Sequence, residues 1–423
     1  MNGIIQKLKL IIADRSLSRR VLFVLGILAL FRVGAAIPIP TIDASALESF
    51  FLNNQFFGLL NIFSGGGLAN LSIFMLGVGP FITASIIMQL LTLIFPQLKE
   101  LYHEEGDAGR RKFSQYSRLL SVPLAMLQSF GLLTILSQQG IVSDLSLESK
   151  IMTIVIVTAG SVLLMWLGEL INQYGIGNGV SLIIFAGIVA SLPGSISQLI
   201  LTFDPSLLPT YLGFMVLAVI IVAGVVIVTE GERPIPITYA KRVRGMKTYG
   251  GTSTYLPIRV NNAGVMPIIF ALSILLFPQM IINLLGQVDN VLLQDISRLF
   301  LNFFENAWLY SAVYFLLVFG FTYFYSAVTF DPHAIATNLQ KGGAFIPGIR
   351  PGLPTETYIA GLLTRLTFFG ALFLGIIAML PLIMQEITGI ATLAIGGTGL
   401  LIVVSVILDL LKKVDAQVTM REY

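Results

Sequence analysis

Apolar residues in this chain do not alternate with polar ones. They come in long runs separated by short polar punctuation, at about 21–37, 72–95, 116–136, 151–171, 179–199, 211–229, 264–285, 309–329, 359–382 and 394–411. As a helix, each run approaches or exceeds the roughly 20 residues needed to cross a bilayer core. The pattern predicts an all-α polytopic membrane protein with ten transmembrane helices. One stretch breaks the rhythm: GLLNIFSGGGLANLSIF at 58–74. Its apolar piece, 56–63, is too short to span. Three glycines follow, Gly65 to Gly67, and then a full-length run begins. A short apolar piece at membrane depth must be buried in protein or line a cavity. The first run follows Lys7, Lys9, Arg15, Arg19 and Arg20, a flank that also heads secretory leaders. Arg32 interrupts that run, which is read as a retained span.

Charge fixes the orientation expected of these spans. An even number of spans puts both termini on one side. Of 25 Lys and Arg residues, only Lys150 and Arg298 fall in loops on the other side, and Arg32 lies inside a span; the remaining 22 are on the side of the termini. By the positive-inside rule that side is the cytoplasm. The opposite side carries acids instead: Asp43, Glu48, Asp144, Glu148, Asp204, Asp289, Asp295, Glu305 and Glu386. Five spans plus five suggest two pseudo-symmetric halves, the second inverted relative to the first.

Composition narrows the chemistry. The 423 residues are 56% hydrophobic and 11% charged, with a mean hydropathy of +0.88. There are no cysteines and two histidines, His103 and His333, so disulfides, cysteine-ligated metals and thiol chemistry are excluded. Ionisable groups within or at the edges of spans are few: Arg32, Glu169, Arg365 and Asp409. A solute transporter usually needs such groups near mid-membrane, and no pair of carboxylates shares a span. GIGNGV at 175–180 opens a span and lacks the spacing of a nucleotide loop. No enzyme, cofactor or metal is predicted.

Two cytoplasmic loops, 230–263 and 330–358, are long for connectors. The first carries Arg233, Lys241, Arg242, Arg244, Lys247 and Arg259, and the second Lys341 and Arg350. RPIP (233–236), YGG (249–251) and FIPGIRPGLP (345–354) read as turns. Basic loops set topology, but topology needs no Gly-Pro architecture; structured basic loops suit docking of something large and acidic. Within the membrane the residues are aliphatic and small. Val78 and Ile82 are four apart, as are Val180 and Ile184, so each pair shares a helical face. From spacing alone these are ordinary packing pairs.

SIFMLGVGPFITASIIMQLL (72–91), GIGNGVSLIIFAGIV (175–189), YLPIRVNNAGVMPIIFA (255–271), GAFIPGIRPG (343–352) and GGTGLLIVVSVILD (396–409) strongly resemble the SecY family, and the likeness runs from FRVGAAIPIP (31–40) through the last span. The resemblance implies a clamshell of two five-helix halves around an hourglass pore that conducts unfolded secretory polypeptides and releases transmembrane segments sideways. It implies a pore ring of Val78, Ile82, Val180, Ile184, Ile269 and Ile402; at Val78 and Val180 the family often has isoleucine. It makes the short apolar piece a plug, about 56–70, with Asn61, Ile62, Phe63, Ser64, Gly65, Gly66, Gly67 and Leu68 forming plug and hinge. It sets Thr83, Gln89, Asn261 and Asn262 at a lateral gate, where polar groups bond across a helix seam. Arg242, Arg244, Lys247 and Arg350 fall in loops that dock a motor or ribosome, although Met246 stands where the family often has a basic residue.

The implied chain map has a cytoplasmic segment (1–20), an N-terminal half (21–199), an outer loop and sixth span (200–229), docking loops at 230–263 and 330–358 around spans at 264–329, two last spans (359–411) and a cytoplasmic tail (412–423). Implied partners are the small subunits SecE and SecG, the SecA motor, the ribosome, signal sequences with their preproteins, and lipid, in a bacterial plasma membrane. The rival readings are an inverted-repeat transporter of a small solute, which requires a polar midplane site, and a structural scaffold, which requires no glycine-interrupted half-span.

Overall fold

The computed structural model describes residues 14–39, 61, 64–68, 70–103, 105–138, 146–201, 205–239, 242–244, 247–249, 253–285, 295, 306–388 and 391–422. The helices are α1 (Arg15–Ala35), α2 (Gly79–Ile94), α3 (Pro96–His103), α4 (Gly106–Gln138), α5 (Leu147–Tyr174), α6 (Gly179–Leu201), α7 (Leu208–Glu230), α8 (Met266–Leu285), α9 (Ala307–Thr329), α10 (Pro332–Lys341), α11 (Leu353–Thr388) and α12 (Ala391–Glu422). Each of the ten apolar runs carries one long helix. The helix starts are written in the sequence. Asp14 accepts from Ser16 N–H, Asn306 from Trp308 and Leu309, and Asp331 from His333 and Ala334, with Pro332 in the first turn.

The second apolar run departs from the expected single span. Residues 70–78 form turns, and the helix starts only at Gly79, with Pro80 in its first turn. Gly77 is left-handed (φ 59°), which ends any helix running into it. The freed backbone groups at this depth still find partners, as they must away from water. Ile73 N–H donates to Ile37 C=O, Ile39 N–H to Leu71 C=O, and Ser161 Oγ to Gly77 C=O. At its far end α2 meets α3 at a 115° bend ahead of Pro96.

The RPIP segment is a strand rather than a turn. β1 (Glu232–Tyr239) pairs antiparallel with β4 (Ser253–Arg259), and its end pairs with β5 (Ala344–Phe345) from the other long basic loop. Pro234 lies opposite Pro257. Neither has an N–H, so this must be a non-bonded pair of the ladder, with Pro236 in the same alternation. The prolines therefore cost the β1–β4 ladder nothing, and β5 touches β1 only at Thr238 and Tyr239. The alternate residues Ile235 and Ile258 pack on Ile346, Ile359 and Leu363 of β5's loop and α11. A separate hairpin, β2 (Arg242–Arg244) with β3 (Lys247–Tyr249), extends from this sheet.

One apolar cluster joins α1, α2, α5, α6, α7, α8, α9, α11 and α12. The main contacts between the first six helices and the rest form two seams: α6 against α12, and α2 and α4 against α8. Most of the outer surface is apolar, and on α7 only Ile221 and Val225 are buried. This is a multi-pass membrane fold whose solvent is lipid.

Candidate pore, stopper and seam

The six ring positions come from four separate segments. Val78 precedes α2 and accepts the N–H of Ile82, so the pair keeps its helical spacing although the helix proper begins at Gly79. Val78, Ile82, Ile184, Ile269 and Ile402 are all buried in the central cluster, and half-buried Val180 packs against it. Ile82, Val180 and Ile269 also line a cavity of about 260 Å³. A second cavity, of about 200 Å³, shares Asn178, Ser181, Met266 and Tyr325 with the first and carries Arg259, Asp409, Lys412 and Lys413 on its wall. They adjoin, with charged residues on the wall of one and the aliphatic Ile82, Val180 and Ile269 on the wall of the other, and the six ring positions are the candidate closure.

Beyond that closure lies the glycine turn. Ser64 and Leu68 are buried, Ser64 Oγ accepts Leu68 N–H at 3.0 Å, and Gly66 N–H donates to Asn61 C=O at 2.9 Å. Gly65 and Gly66 are left-handed, with φ of 68° and 81°. A Cβ added to Gly187 of α6 would come within 2.2 Å of Gly65 Cα. Gly187 is one helical turn beyond Ile184. The glycines expected as a hinge thus also meet a steric demand: they let two backbones touch. Ile62 and Phe63 lie outside the described residues.

The seam residues differ from the cross-seam bonding expected of them. Thr83 Oγ1 donates to Gly79 C=O on its own helix, the usual use of a mid-helix threonine. Asn261 accepts from Gly264 N–H and donates to its C=O, closing the turn before α8. Gln89 lines the 260 Å³ cavity, and its Oε1 is buried without a hydrogen-bond partner among the described residues. Asn262 lines the charged cavity. The α2–α8 seam is held mainly by apolar side chains, among them Ile82, Ile86, Ile269 and Phe270.

Three of the four ionisable groups at the spans, Glu169, Asp409 and Arg32, have described partners the sequence did not reveal. Glu169 of α5 pairs with Arg118 of α4, Asp409 with Lys413, and Lys412 reaches Glu230 and the Thr229 carbonyl at the end of α7. Arg32 donates to the carbonyl of Gly65. Arg350 is exposed in the turn before α11, and its carbonyl accepts from Thr355 Oγ1 at 2.8 Å. Arg242 and Arg244 lie on β2 and Lys247 on β3. Sequence reasoning missed that the two basic loops share one sheet; the alternation of Ile235 and Ile237 was the available signal.

The SecY family model matches residues 72–411. The protein translocase subunit SecY of Thermus thermophilus is 45% identical, over 96% of this chain and 94% of that protein. The subunit of the same name from Mycobacterium tuberculosis is 42% identical, over 96% of each. The fold matches a solved protein-conducting channel with a TM-score of 0.65 at 20% identity, covering 94% of this chain and 92% of that one. It also matches Sec61 of a canine ribosome–channel complex from the endoplasmic reticulum, with a TM-score of 0.61 at 19% identity over 94% and 92%.

Proposed function

The chain belongs to the SecY family of protein translocase channels, and on that premise we propose how its residues divide the work. The protein is a protein-conducting channel and not an enzyme. Val78, Ile82, Val180, Ile184, Ile269 and Ile402 form the constriction. Aliphatic side chains exclude ions by dewetting. They also close around any passing sequence without retaining it, whereas hydrogen-bonding groups there would select substrates. The segment at about 56–70, of which the glycine turn at 64–68 is the hinge-bearing part, is the stopper on the far side.

The α2–α8 seam is the sideways exit for apolar segments. A signal core of about ten apolar residues gains several kcal/mol on leaving water, at about 0.8 kcal/mol per buried CH₂. Few polar bonds across the seam need be broken to admit it. The β1–β4–β5 sheet, its hairpin with Arg242, Arg244 and Lys247, and the turn with Arg350 form the docking face for the SecA motor or a translating ribosome. SecE and SecG bind the lipid-facing exterior. The site of action is the bacterial plasma membrane, with both termini cytoplasmic, a placement supported by the bacterial relatives and the one-sided basic residues.

One observation supports this reading: the six aliphatic residues, from four separate segments, pack into or against one apolar cluster, and three of them line a cavity that adjoins a charged one. Site-specific photocrosslinking tests it. A crosslinker at position 82, 184 or 402 should label a stalled secretory chain, and one at lipid-facing Val216 should not. Equal labelling at 216, or none at the ring, would remove the pore assignment.

A further inference from the structure

Arg32 is the basic residue that topology leaves unexplained. It stands 17 positions after Arg15, the first residue of α1. Arg15 belongs to the basic flank, though; from Val21, where the apolar run begins, Arg32 is 11 residues along, about 17 Å at 1.5 Å per residue and near the middle of a bilayer core. A cation held there needs acceptors. The acceptor it finds belongs to the stopper: Arg32 Nη1 donates to Gly65 C=O at 2.9 Å.

The surroundings make this contact specific. Gly65 sits between two helices. A Cβ on Gly65 would come within 2.4 Å of Phe31 Cζ of α1, and one on Gly187 of α6 within 2.2 Å of Gly65 Cα. The left-handed φ of 68° at Gly65 is a conformation glycine adopts freely. Further along the segment, Asn70 Nδ2 donates to Ala35 C=O at 3.3 Å, and Phe74 stacks on Phe31 with ring centroids 6.0 Å apart. The stacked rings tolerate small slides, and the Asn70 bond is a longer, neutral one. A charged hydrogen bond of fixed direction does not.

We propose that Arg32 is a positioning residue that latches the stopper beneath the constriction; this rests on reading 64–68 as part of the stopper. The chemistry suits a catch that must release. The acceptor is a neutral carbonyl, so no buried carboxylate is left behind when the turn departs. The Arg32 hydrogen bond to Gly65 is only partly buried, so breaking it strands no fully enclosed group. An acidic residue in the stopper would have made an ion pair, harder to open in this setting.

The test uses the assembled translocon in planar bilayers and in proteoliposomes. Arg32→Gln should raise resting ion conductance about tenfold or more, the scale of losing one charged hydrogen bond, while preprotein translocation runs no slower than wild type. Arg32→Lys, which keeps a cationic donor, should restore much of the seal. Gly187→Ala serves as the second variant, since its methyl group displaces the glycine turn whatever Arg32 does. If Gly187→Ala leaks and Arg32→Gln does not, the stopper stands and the latch is wrong. If neither leaks, the stopper reading itself fails. If Arg32→Gln leaks but loses translocation in proportion, or Arg32→Lys leaks equally, Arg32 is merely structural and the latch is overturned.

Discussion

Ile82 and Ile402 are buried in one cluster although 320 positions separate them in the chain, and the burial says what each is worth. A polar side chain there would give water a foothold where the seal depends on excluding it. Ile82→Asn or Ile402→Asn should therefore raise resting conductance through the purified channel while leaving folding largely intact; conductance at the wild-type level would remove both from the seal. Arg350 belongs to a different layer. It is exposed, and only its carbonyl is engaged in a described hydrogen bond, with Thr355. Arg350→Glu should leave assembly and resting conductance untouched and cut motor-driven translocation several-fold, measured by protease protection of preprotein in vesicles. Ring positions were legible only through family motifs, because every span carries aliphatic pairs four apart. Arg32 was visible as an interruption, but its partner lies 33 residues away, and no local pattern encodes that pairing.

Elements were legible where one physical rule dominated. Runs of about 20 apolar residues gave long helices because lipid leaves a backbone few alternatives. Rules in conflict were misread. Pro234 and Pro236 read as turn formers, yet a ladder has positions with outward-facing N–H groups, and prolines fit them. The resulting sheet ties both long basic loops to the first turns of α11, a helix of 36 residues and so about 54 Å. Ile235→Ala removes part of that joint and should cost about 2–5 kcal/mol locally. Limited proteolysis should then cut faster between β1 and β4, and docking-dependent translocation should fall without added ion leak. Unchanged cutting would mean the sheet is not held by this cluster. A second tie is titratable. His333 Nδ1 of α10 lies 2.9 Å from Glu356 Oε2 of α11, and that carboxylate, aided by Asp331, raises the imidazole above its ordinary 6.5. A raised folded-state value means the tie is complete below 6.5 and fades as pH climbs through the raised value. A spin-label pair across α10 and α11 should therefore loosen with rising pH, and His333→Gln should flatten that response.

At the scale of the molecule, the asymmetry between the two seams supports the roles proposed for them. The halves are joined covalently between Leu201, the end of α6, and Leu208, the start of α7. The seam beside that link is α6 against α12, and α12 also packs on α7. There Gly399 brings α12 so close that an added Cβ would lie 3.0 Å from Ile188 of α6. The opposite seam, α2 and α4 against α8, has no such link, has Thr83 and Asn261 bonded locally, and borders a cavity. A clamshell opens at the side its linker does not tether. Cysteines at Gln89 and Met266, which face the same cavity, should be joined by a short bifunctional maleimide, since the chain has no native cysteine to compete. That crosslink should block entry of a signal sequence and release of transmembrane segments. A crosslink between cysteines at Ile188 and Gly399 should leave both nearly intact, because a hinge tolerates being pinned. If pinning α6 to α12 stops translocation while pinning α2 to α8 does not, hinge and exit are exchanged, and the seam proposed for lateral release is the wrong one.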